Sequence, residues 1–256
     1  MKGKSLRKKI LFFLAFIFDL YQELSIKNYY RRFYLPGYDY HPTTLTQTFS
    51  RMSKVREIEK IKKNGKVYLR LGAAGGKFLD EFIPLKRFQK KKWDNKWRIL
   101  IFDIEEKSRL TRDLLRKKLK ELGFAKWQKS VYVTPHPIEN ELNEYLEEKN
   151  LSEKCVCFSA QKLGEQNNKE LAYRIFNLEE IEINYFEILH SLKELEIKIK
   201  NQKSNKKELA KNFQDLVDKF EEILIGDPFL PKELLPKDWP VDKIRNKIKK
   251  LFIMFS

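Results

Sequence analysis

Thr44, Gln47, Thr48 and Arg51 bring two hydroxyls, an amide and a guanidinium into eight consecutive residues. Such groups supply the donors and acceptors that read base edges in a major groove. Lys54, Lys60, Lys62, Lys63 and Lys66 follow closely. Ammonium groups at that density suit phosphates, whose contacts position a protein on a duplex without reading its sequence. Chemistry of other kinds is thinly supplied. His41, His136 and His190 are scattered, and no Ser/His/Asp or Cys/His arrangement follows from their spacing. Gly72-Ala73-Ala74-Gly75-Gly76-Lys77 lacks the Ser or Thr that trails the lysine of a phosphate loop. Cys155 and Cys157 are one residue apart, awkward for a disulfide, and no second Cys/His pair completes a zinc site. They are expected as small buried hydrophobes on one face of a strand. No cofactor is expected.

The formal net charge of +17 over 256 residues is unevenly spread. Residues 1–88 hold 19 Lys/Arg against 7 Asp/Glu, residues 89–165 hold 17 against 13, and residues 166–256 hold 17 against 16. The excess coincides with the polar stretch above. A localised positive field attracts a polyanion, because phosphates neutralised by Lys and Arg release condensed counterions. A hydrophobic content of 42%, with only nine Gly and nine Pro, suits two or three packed domains without a low-complexity linker. Met1–Lys9 is basic and Ile10–Phe18 wholly apolar, but no small-residue cleavage site follows. Nine apolar residues are too few to span a bilayer. The run is expected as a buried helix with its basic end in water, with no membrane partner and a cytoplasmic location.

The elements that would position these groups can be read from periodicity. Ser5–Leu24 is expected as a first helix, and another begins near Pro42-Thr43. There Leu45, Phe49 and Met52 fall at i, i+4 and i+7 and form a buried stripe, so Thr44, Gln47, Thr48 and Arg51 are expected to face away from it. Val55–Ile61 and Lys66–Leu71 alternate like strands around Asn64-Gly65, a strong hairpin signal. The turn before that hairpin has no glycine between Val55 and Ile58. Phe78–Leu85 reads as a short closing element. Helix, helix, basic hairpin is the order of a winged helix-turn-helix, in which the last helix enters the major groove and the hairpin touches backbone or minor groove.

After the basic stretch Gln89–Lys96, Trp97–Phe102 is an apolar strand ending in Asp103. Ser108–Leu122 reads as an amphipathic helix, Gly123–Gln128 and Ser130–Thr134 as strands, Pro137–Glu148 as a helix and Lys154–Ser159 as a last strand. That order is the ferredoxin-like βαββαβ arrangement. Leu178–Ile199, Lys206–Ile225 and Val241–Phe255 have helical spacing. Between the last two lie Gly226-Asp227-Pro228-Phe229-Leu230-Pro231 and Leu234-Leu235-Pro236-Lys237-Asp238-Trp239-Pro240, where four prolines exclude a helix interior and the apolar residues imply a rigid segment packed on a surface. The fold class is therefore α+β: an N-terminal winged helix-turn-helix over 1–88, a central ferredoxin-like domain over 89–165 and a C-terminal helical domain over 166–256.

Those proline-rich motifs resemble the C-terminal signature of PaaX-type repressors. Trp97-Arg98-Ile99-Leu100-Ile101-Phe102-Asp103-Ile104-Glu105-Glu106-Lys107, with Arg109, Arg112, Leu115 and Leu122-Gly123-Phe124, is similar to the family's central domain. So is Gln128-Lys129-Ser130-Val131-Tyr132-Val133-Thr134-Pro135. Thr48-Phe49-Ser50-Arg51-Met52 and the basic hairpin resemble its recognition helix and wing. The resemblance implies a dimeric transcriptional regulator, a repressor on a palindromic double-stranded DNA operator, released by a small-molecule effector such as a CoA thioester. Thr44, Gln47, Thr48 and Arg51 would then touch bases, and Lys54, Lys60, Lys62, Lys63 and Lys66 would hold phosphates.

The family's middle domain also resembles the small adaptation nuclease of CRISPR systems, which carries an aspartate where Asp103 stands. Two such aspartates in a dimer could hold Mg²⁺ and activate a water against a phosphodiester. A metal-dependent endonuclease or CRISPR adaptation component, with Asp103 as metal ligand and catalytic residue, is therefore the alternative. Against it stands a plain role for Asp103, capping the next turn or pairing with Arg109 or Arg112. An adaptor that holds nucleic acid or protein without an effector is a third reading. The expectation is a regulator, and whether the chain is also an enzyme stays open, a metal-dependent endonuclease being the activity it would have.

Overall fold

The computed structural model describes residues 6–17, 36–37, 40–63, 66–165, 167–201 and 205–255, with the side chains of 42, 62–63, 66–68 and 106 outside that description. The chain divides into two compact units. One takes Met1–Phe82, Ile183–Gly226 and Pro240–Ser256, so far as these are described; the other takes Ile83–Glu182 and Asp227–Trp239.

The first unit is built around an apolar helix. α1 (Leu6–Phe12) runs into a π-helical turn, Phe13–Ile17, and Ile10 through Ile17 are all buried. A helix apolar on every side belongs in the middle of a core. Phe12 stacks on Phe16 with ring centroids 5.1 Å apart, and Phe13 lies 5.8 Å from Phe252. α8 (Lys206–Gly226) presents Phe213, Val217, Phe220 and Leu224 to this core, and α9 (Val241–Phe255) presents Ile244, Ile248, Leu251 and Phe255. The expectation that the basic end of the first helix stays in water holds only in part. Lys9 is buried and bridges Asp218 and Glu221, the latter at 2.8 Å, because a cation inside a core needs carboxylate partners. Residues 18–24 of the expected helix lie outside the described residues.

The same unit carries α2 (Pro42–Lys54), the antiparallel hairpin β1 (Ile58–Lys63) and β2 (Lys66–Leu71), and α3 (Ala73–Phe82). The hairpin register runs from Ile58↔Leu71 to Lys63↔Lys66, and its Asn64-Gly65 turn lies outside the described residues. Where a short closing element was expected over Phe78–Leu85, α3 begins five residues earlier, inside the glycine-rich run, and a 3-10 turn follows at Pro84–Phe88. Gly75 inside that helix has a steric cause: a Cβ there would sit 2.2 Å from the Glu57 carbonyl oxygen.

The second unit holds a four-stranded antiparallel sheet in the order β4-β5-β3-β6. Its strands are β3 (Trp97–Phe102), β4 (Ala125–Gln128), β5 (Val131–Thr134) and β6 (Cys155–Ala160). With α4 (Arg109–Glu121) between β3 and β4, and α5 (Glu139–Glu148) between β5 and β6, the observed order is the βαββαβ read from the sequence. One sheet face, with Leu100, Phe102 and Tyr132, packs on Leu115 and Leu119 of α4 and Leu142 and Leu146 of α5. The other carries Trp97, Ile99 and Val133. It is covered by Leu171 and Ala172 of α6 (Asn168–Ile175), by Leu178 at the start of α7 (Leu178–Lys200), and by Leu230 and Leu234 of the proline-rich segment. Gly123, after α4, has φ +82°, and a Cβ there would meet His136 Cδ2 at 2.7 Å.

Candidate nucleic-acid interface

α2 is a well-delimited helix. His41 caps it in extended conformation, its Nδ1 accepting from the Thr43 N–H at 3.4 Å, and Pro42 fills the first position, where a missing N–H costs nothing. Leu45, Phe49 and Met52 are buried, as their spacing requires. Thr44, Gln47 and Arg51 lie at i, i+3 and i+7 and are exposed, as is Lys54. Thr48 departs from the expectation. It is 5% exposed, and its Oγ1 donates to the Thr44 carbonyl at 2.8 Å. Position i+3 from Leu45 belongs to the same helical stripe as i+4, so Thr48 turns inward with its hydroxyl satisfied by the preceding turn. Ser50 and Thr43, which the sequence reading passed over, are exposed on α2. A strict count around the Leu45–Phe49–Met52 stripe finds both.

The turn leaving α2 is set by Arg56. Its φ is +56°, its N–H donates to the Ser53 carbonyl at 3.2 Å, and its carbonyl accepts from the Ala74 N–H at 3.1 Å. This is the turn in which the sequence has no glycine, and an exposed arginine takes the left-handed position instead. On β1, Lys60 is exposed and pairs in register with Leu69. The register also sets Lys62 opposite Val67 and Lys63 opposite Lys66, while the side chains of these three lysines lie outside the described residues. Two carboxylates stiffen the hairpin. Glu59 pairs with Arg70 directly across the ladder, and the buried Glu57 takes a two-pronged bond from Arg7 of α1. That bond, foremost, holds the Arg7 guanidinium above its ordinary value.

The second unit places the remaining chemistry-bearing residues apart from one another. Asp103 is exposed at the end of β3, and its N–H donates to the Lys154 carbonyl at 2.9 Å. Glu105 pairs with Lys107, and Arg109 lies 3.7 Å from Asp113. Magnesium asks for about six oxygens in near-octahedral order. Among the described residues no group of three His, Cys, Asp or Glu side chains could hold a metal, and the side chain of Glu106, three residues beyond Asp103, lies outside them. His136 is buried, stacks on Phe88 at 4.2 Å between ring centroids, and sits 2.9 Å from the Pro228 carbonyl through Nε2. Burial pushes its pKa down to about 4. Burial also raises the Cys155 thiol to about 11. His136 and Cys155 are packed, neutral groups. Among the described residues no helix is long and apolar enough to cross a membrane.

Two family models match the chain. One, the PaaX protein central Cas2-like domain, covers residues 90–172; the other, the PaaX-like protein C-terminal domain, covers residues 176–254. No curated protein matches the sequence. Among solved structures the chain is similar to the uncharacterized protein Rv0674 from Mycobacterium tuberculosis, with a TM-score of 0.52 and 19% identity. The match covers 86% of this chain and 83% of that one. At that identity the likeness concerns the fold.

Proposed function

The chain belongs to the PaaX family, and from that premise we propose that it is a sequence-specific DNA-binding transcriptional regulator, a dimeric repressor acting in the cytoplasm. In this reading residues 1–88 form a winged helix-turn-helix, with α2 as the helix that enters the major groove and β1–β2 as the wing. The observation that carries it is the exposed triplet Thr44, Gln47 and Arg51 on a helix that leads directly into a lysine-rich hairpin. Thr48 supports the Thr44 backbone from within and leaves base contact to its neighbours. Lys54, Lys60, Lys62, Lys63 and Lys66 hold phosphates, and their weight falls on affinity and salt dependence rather than sequence choice. A small-molecule effector, such as a CoA thioester, relieves repression. An open groove of about 560 Å³ lined by Trp93, Lys162, Glu165, Asn168, Lys169 and Glu233 is one place to seek it.

The test is selection of bound fragments from a random duplex library at about 150 mM salt, where non-specific phosphate binding is suppressed. It is run with and without Mg²⁺, and with Asp103→Ala beside the native chain. Enrichment of a palindromic site without cleavage is the expected result. Cleavage that needs both Mg²⁺ and Asp103, with no enriched motif, would replace the repressor with the nuclease.

A further inference from the structure

The helical layer of the second unit is electrically divided. α4 holds six Lys/Arg against one Asp and one Glu, whereas α5 holds five Glu and no Lys or Arg. The two helices are neighbours: their leucines share one core cluster, and Lys118 Nζ lies 5.5 Å from the Tyr145 ring. They run in opposite directions, since each returns antiparallel to its preceding strand and β3 is antiparallel to β5. The outward side of the basic helix is not wholly polar. Leu110 is 74% exposed and Leu114 50%, one helical turn apart. Two leucines held in water within a dense positive field mark a surface that is covered by something acidic.

We infer that the occupant is a second copy of this chain, docked through a two-fold axis that lays α4 of each protomer on α5 of the other. The inference rests on the dimeric reading above and supplies its geometry. Two helical layers can meet face to face about either of two in-plane axes. An axis across the helices sets α4 on α4 and α5 on α5, joining like charges. An axis along the helices sets α4 on the partner's α5, twice, with opposite charges at both contacts and the leucines enclosed between them. Charge complementarity selects the second, and an isologous pair of this kind closes as a dimer. α4 is 13 residues long and α5 is 10, so they span about 20 and 15 Å. A face of that size is at the small end of specific interfaces. The free dimer is therefore concentration-dependent, and an operator with two half-sites strengthens it by holding both protomers at high effective concentration.

The experiment is sedimentation equilibrium of the full chain over a wide concentration range, at low and high salt. Two charge-swapped variants accompany it, all four positions being exposed: Lys117→Glu with Lys120→Glu, and Glu144→Lys with Glu147→Lys. Each variant alone should dimerise at least tenfold more weakly than the native chain, with its circular dichroism unchanged. An equimolar mixture should recover a dimer, because each swapped helix then faces its complement. Variants that dimerise at native strength and show no preference in the mixture would overturn this face. Should Val156→Asp alone then abolish the dimer, the interface is the uncovered end of the sheet, where Ile101, Val156 and Phe158 are exposed. A native chain that stays monomeric throughout would sink the dimeric reading itself, while leaving DNA binding by α2 to its own test.

Discussion

Arg51 and Arg98 carry the same side chain in two regions of the molecule and are put to opposite uses. Arg51 stands exposed on α2, on the face turned from the core. Arg98 is buried in β3, where Nε donates to Glu139 at 2.7 Å and Nη1 to Asp94 at 2.8 Å and to the Pro135 carbonyl at 3.2 Å. The donors of Arg98 are committed to fixing one strand to its neighbours, whereas those of Arg51 face solvent. The difference teaches that residue type does not separate a structural cation from a functional one. The position within the period of the element does: Arg98 lies in a strand buried along most of its length, and Arg51 lies off the hydrophobic stripe of a helix.

The largest effect should come from breaking the structural side. Arg98→Ala removes the partner of Asp94 and Glu139, and losing one member of a buried ion pair costs about 3–5 kcal/mol. Both carboxylates are partly exposed and can turn to water, so the expected loss lies near the lower figure. Urea unfolding reads it. DNA affinity, measured well below the transition, should be unchanged; a specific loss of binding with intact stability would erase the contrast.

His136 sharpens the same contrast through pH. Its folded pKa is about 4 against an ordinary 6.5, with burial the main cause. Protons therefore bind the unfolded chain first as pH falls. The contribution to stability is complete above pH 6.5, is lost progressively between 6.5 and 4, and levels off below. A shift of that size corresponds to up to about 3 kcal/mol. Denaturation midpoints of the native chain and of His136→Phe, compared at pH 7 and pH 4.5, should converge as the pH is lowered. A pH-independent difference between them would show that His136 is not held neutral.

On the functional side, Arg51→Ala should leave the denaturation midpoint in place and lower affinity for the selected operator by about 2 kcal/mol, the worth of one good bidentate base contact. The loss should be confined to particular base pairs. In a binding titration against single-base operator variants, unchanged discrimination would mean that the base-reading face has been wrongly assigned.

Much of this arrangement is legible in the sequence where one periodicity prevails. The alternation in Lys66–Leu71 and the apolar run Trp97–Phe102 give strands at their observed positions, and the span Val241–Phe255 is a helix to the residue. Legibility fails where a polar residue falls inside an apolar stripe. Thr48 looks like a reader because its hydroxyl is polar, yet its position makes it core. Lys9 looks solvated because it follows other cations, and only Asp218 and Glu221, more than two hundred residues away, explain its burial. The start of α3 is hidden because glycines normally weaken helices, yet Gly75 is required there by the approach of the Glu57 carbonyl. For Thr48 the deciding neighbours lie one helical turn away, whereas for Lys9 and Gly75 they are distant in sequence.

Arg56 is the finest point on which the two regions differ. Five described non-glycine residues have positive φ, and three of them are asparagines, Asn95, Asn150 and Asn177, the type that tolerates this conformation best. Phe229 is buried, and its N–H donates to Asp227 Oδ1 at 2.6 Å. Arg56 has neither excuse: its side chain is exposed, and the turn constrains its backbone alone. Arg56→Gly should therefore stabilise the protein by about 1 kcal/mol through relief of the left-handed strain, the smallest of these effects. It should also cost affinity if the cation at the end of α2 serves the interface. A stabilised variant that binds the operator as tightly as the native chain would confine Arg56 to neutralising the carbonyl end of the helix. A stabilised variant that binds more weakly, with a shallower salt dependence, would add it to the phosphate-holding set.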